Sequence, residues 1–124
     1  AGVGQIVLGG EELEGCTSRG IDDHSNLSLP QPDAQFVAPT VTEDGIVWPE
    51  GPRRTWRDET PLYDGVRHGL AIDFFIREDG VASCWAMQAQ PGGNLTVAGP
   101  SGSLVVPEDY ADQLYVCDGS GMPA

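Results

Sequence analysis

The sequence predicts a mostly β domain, a small barrel with one short cap helix, and three observations support this. Its apolar residues come in short runs of strand length, not in long 3.6-residue periods. The 17 Gly and 10 Pro are scattered between those runs as turn signals. No strand–helix–strand alternation runs along the chain, which argues against a doubly wound sheet. At 124 residues the chain has room for one core and not for two, so 1–124 reads as a single β-barrel domain.

The elements follow in order. "GQIVLGG" (Gly4 to Gly10) reads as a strand closed by a Gly pair, and "NLSLP" (Asn26 to Pro30) alternates polar with apolar as a half-buried strand does. From Gln31 to Pro52 the chain is rich in Pro, Asp and Gly, with "GIVWP" its apolar patch, and reads as a long flap. "GLAIDFFIRED" is β-branched and aromatic and ends at the turn signal "EDG". Phe74 and Phe75 are adjacent there, so only one of them can face the interior. "VASCWAMQAQPGG" is the helix, stopped by Pro91 and Gly92. "NLTVAGPSGSLVVP" then reads as strand, turn and strand, and "DQLYVCDGSGMPA" as a last strand that empties into a Gly-rich tail.

Charge narrows the functions. The net charge is −13, and all six basic residues are Arg. Nucleic acid and anionic membrane both need a basic footprint, so neither is an expected partner. Partners should be small organic molecules or another protein. Cys16, Cys84 and Cys117 are odd in number and far apart, which gives neither a disulfide framework nor a zinc spacing. With two His in the chain, "DDH" at 22–24 reads as surface and no metal is expected. No apolar run approaches the ~18 residues of a membrane span, and the expected compartment is the cytoplasm.

The order "VLGGEEL", "DDH", "GIVWPEGP", "RDETP", "IDFFI", "VASCWAMQAQPG", "VAGPSGSLVVP" and "DGSGMPA" resembles the flavin-binding barrel of the siderophore-interacting proteins, ferric-siderophore reductases of the ferredoxin-reductase-like superfamily. The resemblance covers nearly the whole chain. It implies a Greek-key-type barrel that binds FAD, followed in the family by a nucleotide-binding domain. Here only the first strand and turn of that domain are matched, so the chain reads as the barrel without it. The match also begins part-way through the family's first hairpin, which would leave a strand edge that dimerisation could cover.

The family's flavin motif resembles R-x-Y-T-P-R, in which an Arg pairs with FAD phosphate, a Tyr ring lies against the isoalloxazine and the Thr hydroxyl reaches its N5 edge. This sequence reads Arg57-Asp58-Glu59-Thr60-Pro61-Leu62. Losing the aromatic plane to a carboxylate and the second Arg to Leu62 would each cost FAD about 1–3 kcal/mol. Asn26 falls where the family has Lys, Arg77 where it has His, and Ser101 where it has a basic residue. "ASCW" (Ala82 to Trp85) keeps the phosphate-facing helix start in outline.

The expectation that follows is a cofactor-independent enzyme of specialised metabolism, a cyclase or isomerase with an apolar substrate in a vacated flavin cleft. Glu59, Arg57, Thr60 and His24 are its candidate catalytic groups. Trp48, Trp56, Tyr63, Phe74, Arg77, Ser83 and Trp85 are its candidate binding residues. Two alternatives stand beside it: an FAD-binding ferric-siderophore reductase barrel, and a protein that sequesters a small molecule without turnover.

Overall fold

The computed structural model describes residues 2–123. It is mostly β, with one α-helix, and its strands form two three-stranded sheets around one core, with a two-stranded hairpin outside. Among the described residues the hydrogen-bonded ladder does not run from one sheet to the other, so the two sheets pack face to face without closing into a continuous barrel.

In the first sheet β1 (Gly2–Gly9) lies antiparallel to β7 (Gly69–Ile76), from Gly2 opposite Ile76 to Gly9 opposite Gly69. On the other side of β7 lies β6 (Pro61–Asp64). Leu70, Ile72 and Phe74 take alternate positions on β7, so the pleat turns all three inward, and each is 2% exposed or less. In the second sheet β2 (His24–Leu29) is central between β5 (Thr55–Glu59) and β8 (Thr96–Ser101). Leu27 and Leu29 face the same core, and burying each of these five side chains contributes about 1.5–3 kcal/mol.

The predicted helix is α1 (Val81–Gln88), and it lies against the core through Ala82, Trp85 and Ala86, with the Trp85 ring 5.8 Å from Phe74. The flap after β2 contains the hairpin β3 (Thr40–Thr42) and β4 (Gly45–Val47). The flap is pinned to β5 at one end. Trp48 meets Trp56 edge-on at 5.1 Å, and the Arg54 guanidinium lies 4.6 Å over the Trp48 ring.

Two expected strands differ. After β8 the second run shrinks to a single bridge between Leu104 and Ile21. The run from Gln113 to Cys117 forms no strand: Leu114 and Val116 are 89% and 87% exposed, and no neighbouring strand among the described residues offers them a ladder. Among the described residues no helix is long and apolar enough to cross a membrane.

An unforeseen anchor holds the segment before β2. The buried Asp23 carboxylate accepts hydrogen bonds from the Ser18 hydroxyl at 2.6 Å, the Arg19 N–H at 2.7 Å, and the Ser103 hydroxyl. These bonds hold its carboxyl down to about 2, Ser103 contributing most. Gly20 belongs to the same knot. A Cβ there would stand 2.4 Å from the Leu104 carbonyl oxygen, so only glycine allows the two segments to approach.

Candidate functional site

A cleft of about 400 Å³ opens where the ends of β5 and β7 meet the start of α1. Its size falls within the range of about 300–1,000 Å³ typical of small-molecule sites. A second hollow, of about 90 Å³ beneath the flap near Phe36 and Val37, is too small for a cofactor.

Each wall follows from local structure. β5 and β6 meet at Thr60, and Arg57, Asp58, Glu59 and Thr60 form one side of the cleft. Opposite them, the end of β7 brings Asp73, Phe74 and Phe75, and Arg77 follows in the turn. The floor is the first turn of α1, Gly80 to Ser83, with no side-chain cap at Gly80. The first N–H groups of a helix have no acceptor within it, so this floor presents donors and a positive dipole end.

Ser83 fixes the floor to the wall. Its buried hydroxyl donates to the Phe75 carbonyl at 3.0 Å and accepts the Arg77 N–H at 3.1 Å. Arg57 donates one guanidinium N–H to the Trp56 carbonyl at 2.7 Å, which leaves most of its five donors for a ligand. Among the described residues the one ion pair is Arg67 with Asp64, away from the cleft, so Arg57 and Arg77 enter it unpaired. Burial pushes the half-buried Glu59 carboxyl above its ordinary range, against the pull of Arg57 and Arg77. His24 closes one end, its Nε2 3.2 Å from the Ser101 hydroxyl.

Seven of the anticipated residues line the cleft: Glu59, Arg57, Thr60, His24, Phe74, Arg77 and Ser83. Four do not. Trp56 is separated by one position from Arg57, so the strand pleat turns it to the outer face, and there it holds Trp48. Tyr63 and Trp85 are packed against the core. Aromatic character made all four candidates, and in each the ring has a structural partner instead.

Other wall residues went unanticipated: Asp58, Asp73, Ser120 and Pro123. Asp73 stands between the inward Ile72 and Phe74, so the pleat turns its carboxylate to the other face of β7, where it accepts the Gln5 amide at 2.8 Å. The tail reaches the cleft through a turn in which Asp118 Oδ1 accepts the Ser120 N–H at 2.9 Å, the Ser120 hydroxyl at 2.7 Å and the Gly121 N–H at 3.0 Å. Gly119 lies against the Phe75 ring, and a Cβ there would stand 2.8 Å from the nearest ring carbon.

The donors fit FAD. Two guanidiniums and an uncapped helix start suit a diphosphate, Thr60 offers a hydroxyl, and Phe75 gives the half-buried aromatic surface that a flavin ring needs. Among the described residues no three His, Cys, Asp or Glu side chains converge as a metal set.

Comparisons with known proteins agree with that chemistry. Residues 2–104 match the siderophore-interacting FAD-binding domain. The chain is 77% identical over 124 residues to an NADPH-dependent ferric-chelate reductase of Escherichia coli, matching all of this chain and 49% of that protein. It is 27% identical to the ferric vibriobactin reductase ViuB of Vibrio cholerae, over 97% of this chain and 45% of that one. A crystal structure of a siderophore utilization protein from T. fusca superposes with a TM-score of 0.70 at 33% identity, over 86% of this chain and 41% of that chain. The chain thus spans about half the length of the curated relatives it matches.

These findings overturn the expectation of a cofactor-independent cyclase or isomerase, and with it the expectation of no cofactor. The physical reason is that the side chains lost at Glu59 and Leu62 are not the whole of the site: the backbone donors at the start of α1 and Arg77 also have a place in the cleft.

Proposed function

Because the chain belongs to the siderophore-interacting FAD-binding domain family, we propose that it is the flavin-holding part of an enzyme that reduces ferric chelates. The observation that carries this reading is the meeting of two unpaired guanidiniums and an uncapped helix start in one cleft. The 77% identity to a ferric-chelate reductase supports it.

Arg57, Arg77 and the first N–H groups of α1 would hold the diphosphate. The Thr60 hydroxyl and the Phe75 ring would seat the flavin. Ser83 acts through others: it holds the Arg77 backbone and the helix start in register, which makes it a positioning residue. Burial makes the half-buried Glu59 easier to protonate than an ordinary Glu, which lessens the cost of a carboxylate beside the electron-rich ring. FAD would supply two-electron uptake from NADPH and release of those electrons singly to two Fe(III) centres, yielding two Fe(II). The nicotinamide site would then belong to parts of the protein outside these residues.

The test is FAD titration of the purified chain, followed by quenching of flavin fluorescence. Binding at micromolar FAD, reduced to background by Arg57→Ala with Arg77→Ala, is the expected result. Fluorescence unchanged by wild-type protein would overturn the reading.

A further inference from the structure

The flap and the edge of the second sheet meet beside Arg57. On the reading above, we propose that Trp48 and Trp56 are positioning residues for FAD: the flap clamps Trp56, and Trp56 in turn orients the Arg57 guanidinium for the diphosphate.

β5 is the edge of its sheet, with β2 its one hydrogen-bonded neighbour, so its backbone is held from one side. The flap supplies a second hold. It leaves the sheet after Leu29 and returns at Thr55, and both of its ends are tied to residues at the start of β5. At the first end the Gln31 side-chain amide donates to the Arg53 carbonyl at 3.3 Å. At the second, Trp48 meets the Trp56 ring edge-on at 5.1 Å and carries the Arg54 guanidinium on its face at 4.6 Å. Between these ends β3 and β4 pair only with each other, and Val41 is 80% exposed. The flap is therefore held at its ends, and what it holds there is the segment 53–56.

Trp56 carries that hold to the cleft. Its ring lies in the clasp, and its carbonyl accepts an Arg57 Nη1–H at 2.7 Å. The bond spans a single peptide, so the direction of the guanidinium follows the Trp56 peptide. An arginine free in solvent loses rotamer freedom when a ligand takes it, and one already tethered loses less, which appears as affinity. Arg77 is held differently, by its N–H on the Ser83 hydroxyl at 3.1 Å. The clasp thus acts on one of the two cleft arginines and not on the other.

The test is a pair of double-mutant cycles on FAD affinity, read by flavin fluorescence. Trp48→Ala should weaken FAD about fivefold in the otherwise wild-type chain and leave affinity unchanged in the Arg57→Ala chain. That gap is about 1 kcal/mol at about 1.4 kcal/mol per tenfold, within the range for residues of one network. In the Arg77→Ala chain the fivefold loss should persist. Trp48→Phe keeps a ring for Trp56 and Arg54 and should restore most of the affinity. Arg54→Lys keeps the charge but gives up the planar stack, so it should show the same pattern at smaller size, and it carries the test if Trp48→Ala does not fold.

An equal loss in the Arg57→Ala chain overturns the proposal, because the clasp then acts on the fold at large. Full affinity in Trp48→Ala overturns it too. If wild-type protein fails to bind FAD, the parent reading falls and this one with it. If FAD binds and the Trp48–Arg57 cycle is additive, only the positioning role is lost.

Discussion

Two buried serines should respond to the same substitution with opposite signs. Ser83 is 4% exposed and its hydroxyl is used twice, donating to the Phe75 carbonyl and accepting from the Arg77 N–H. Ser83→Ala removes both bonds and strands a carbonyl and an N–H at the junction of β7 with α1. Each net bond is worth about 1 kcal/mol, so the loss is about 2 kcal/mol. For a chain of this length about 1 kcal/mol shifts Tm by roughly 4 °C, giving a fall of about 8 °C. Ser25 is 1% exposed and its hydroxyl has no partner among the described residues. Ser25→Ala removes a desolvated hydroxyl that gains nothing, so Tm should hold or rise by a few degrees, for about 1 kcal/mol. Urea denaturation and thermal melts on both variants decide it. If both melt lower by the same amount, hydrogen-bond satisfaction is not what distinguishes the two sites.

The remaining predictions concern charge and the tail. Glu59→Gln should tighten FAD binding at neutral pH by about fivefold, or about 1 kcal/mol, with the gain vanishing as pH falls toward the ordinary glutamate value of 4.5 and wild-type Glu59 takes up its proton. Parallel affinity curves across pH would contradict it. Asp23 is held at about 2 from an ordinary 3.8, so its contribution to stability is complete above pH 3.8 and is lost as pH falls through to about 2. Melts of Asp23→Asn should lack that acid-side fall and begin from a lower Tm at pH 7; equal slopes in the two proteins would count against the Asp23 knot. Gly119→Ala sets a methyl against the Phe75 ring, so FAD should bind roughly fivefold more weakly, a cost of about 1 kcal/mol, while urea stability changes little because the turn is peripheral. A loss of stability larger than the loss of affinity would assign Gly119 to the fold instead of the site.

Much of the fold was legible because its signals are local. The alternation of Leu70, Ile72 and Phe74, and of Leu27 and Leu29, is the core itself. The helix and its stop at Pro91 could be read from composition. β5 and β6 could not, because "TWRDE" has no apolar period: its charged residues stand at the cleft, and what holds the strand is its backbone ladder to β2. The last predicted strand had the right composition and no partner, and a strand is a property of two segments. The Asp23 knot was illegible for a related reason, since it joins residues about 80 positions apart that share no periodic signal.

The same limit applies to the cofactor. A motif read residue by residue registers Glu59 and Leu62 as losses, because side chains are all it contains. In the folded chain an anion can be held by groups that carry no letter: the helix-start N–H groups above Gly80 exist whichever residues occupy Val81, Ala82 and Ser83. What the letters do control is whether that helix start is held in place, and Ser83 does this by bonding both Phe75 and Arg77. Glu59 differs in kind, because its cost depends on its proton. Set in a half-buried wall it takes up a proton more readily than an ordinary Glu, and once protonated it is a polar, uncharged neighbour to a flavin. A substitution that looks prohibitive at fixed charge is therefore tolerable at variable charge. It follows that FAD affinity in the wild-type chain should weaken as pH rises through the Glu59 titration, and that Glu59→Gln should remove that dependence while leaving the contribution of Arg57 and Arg77 intact.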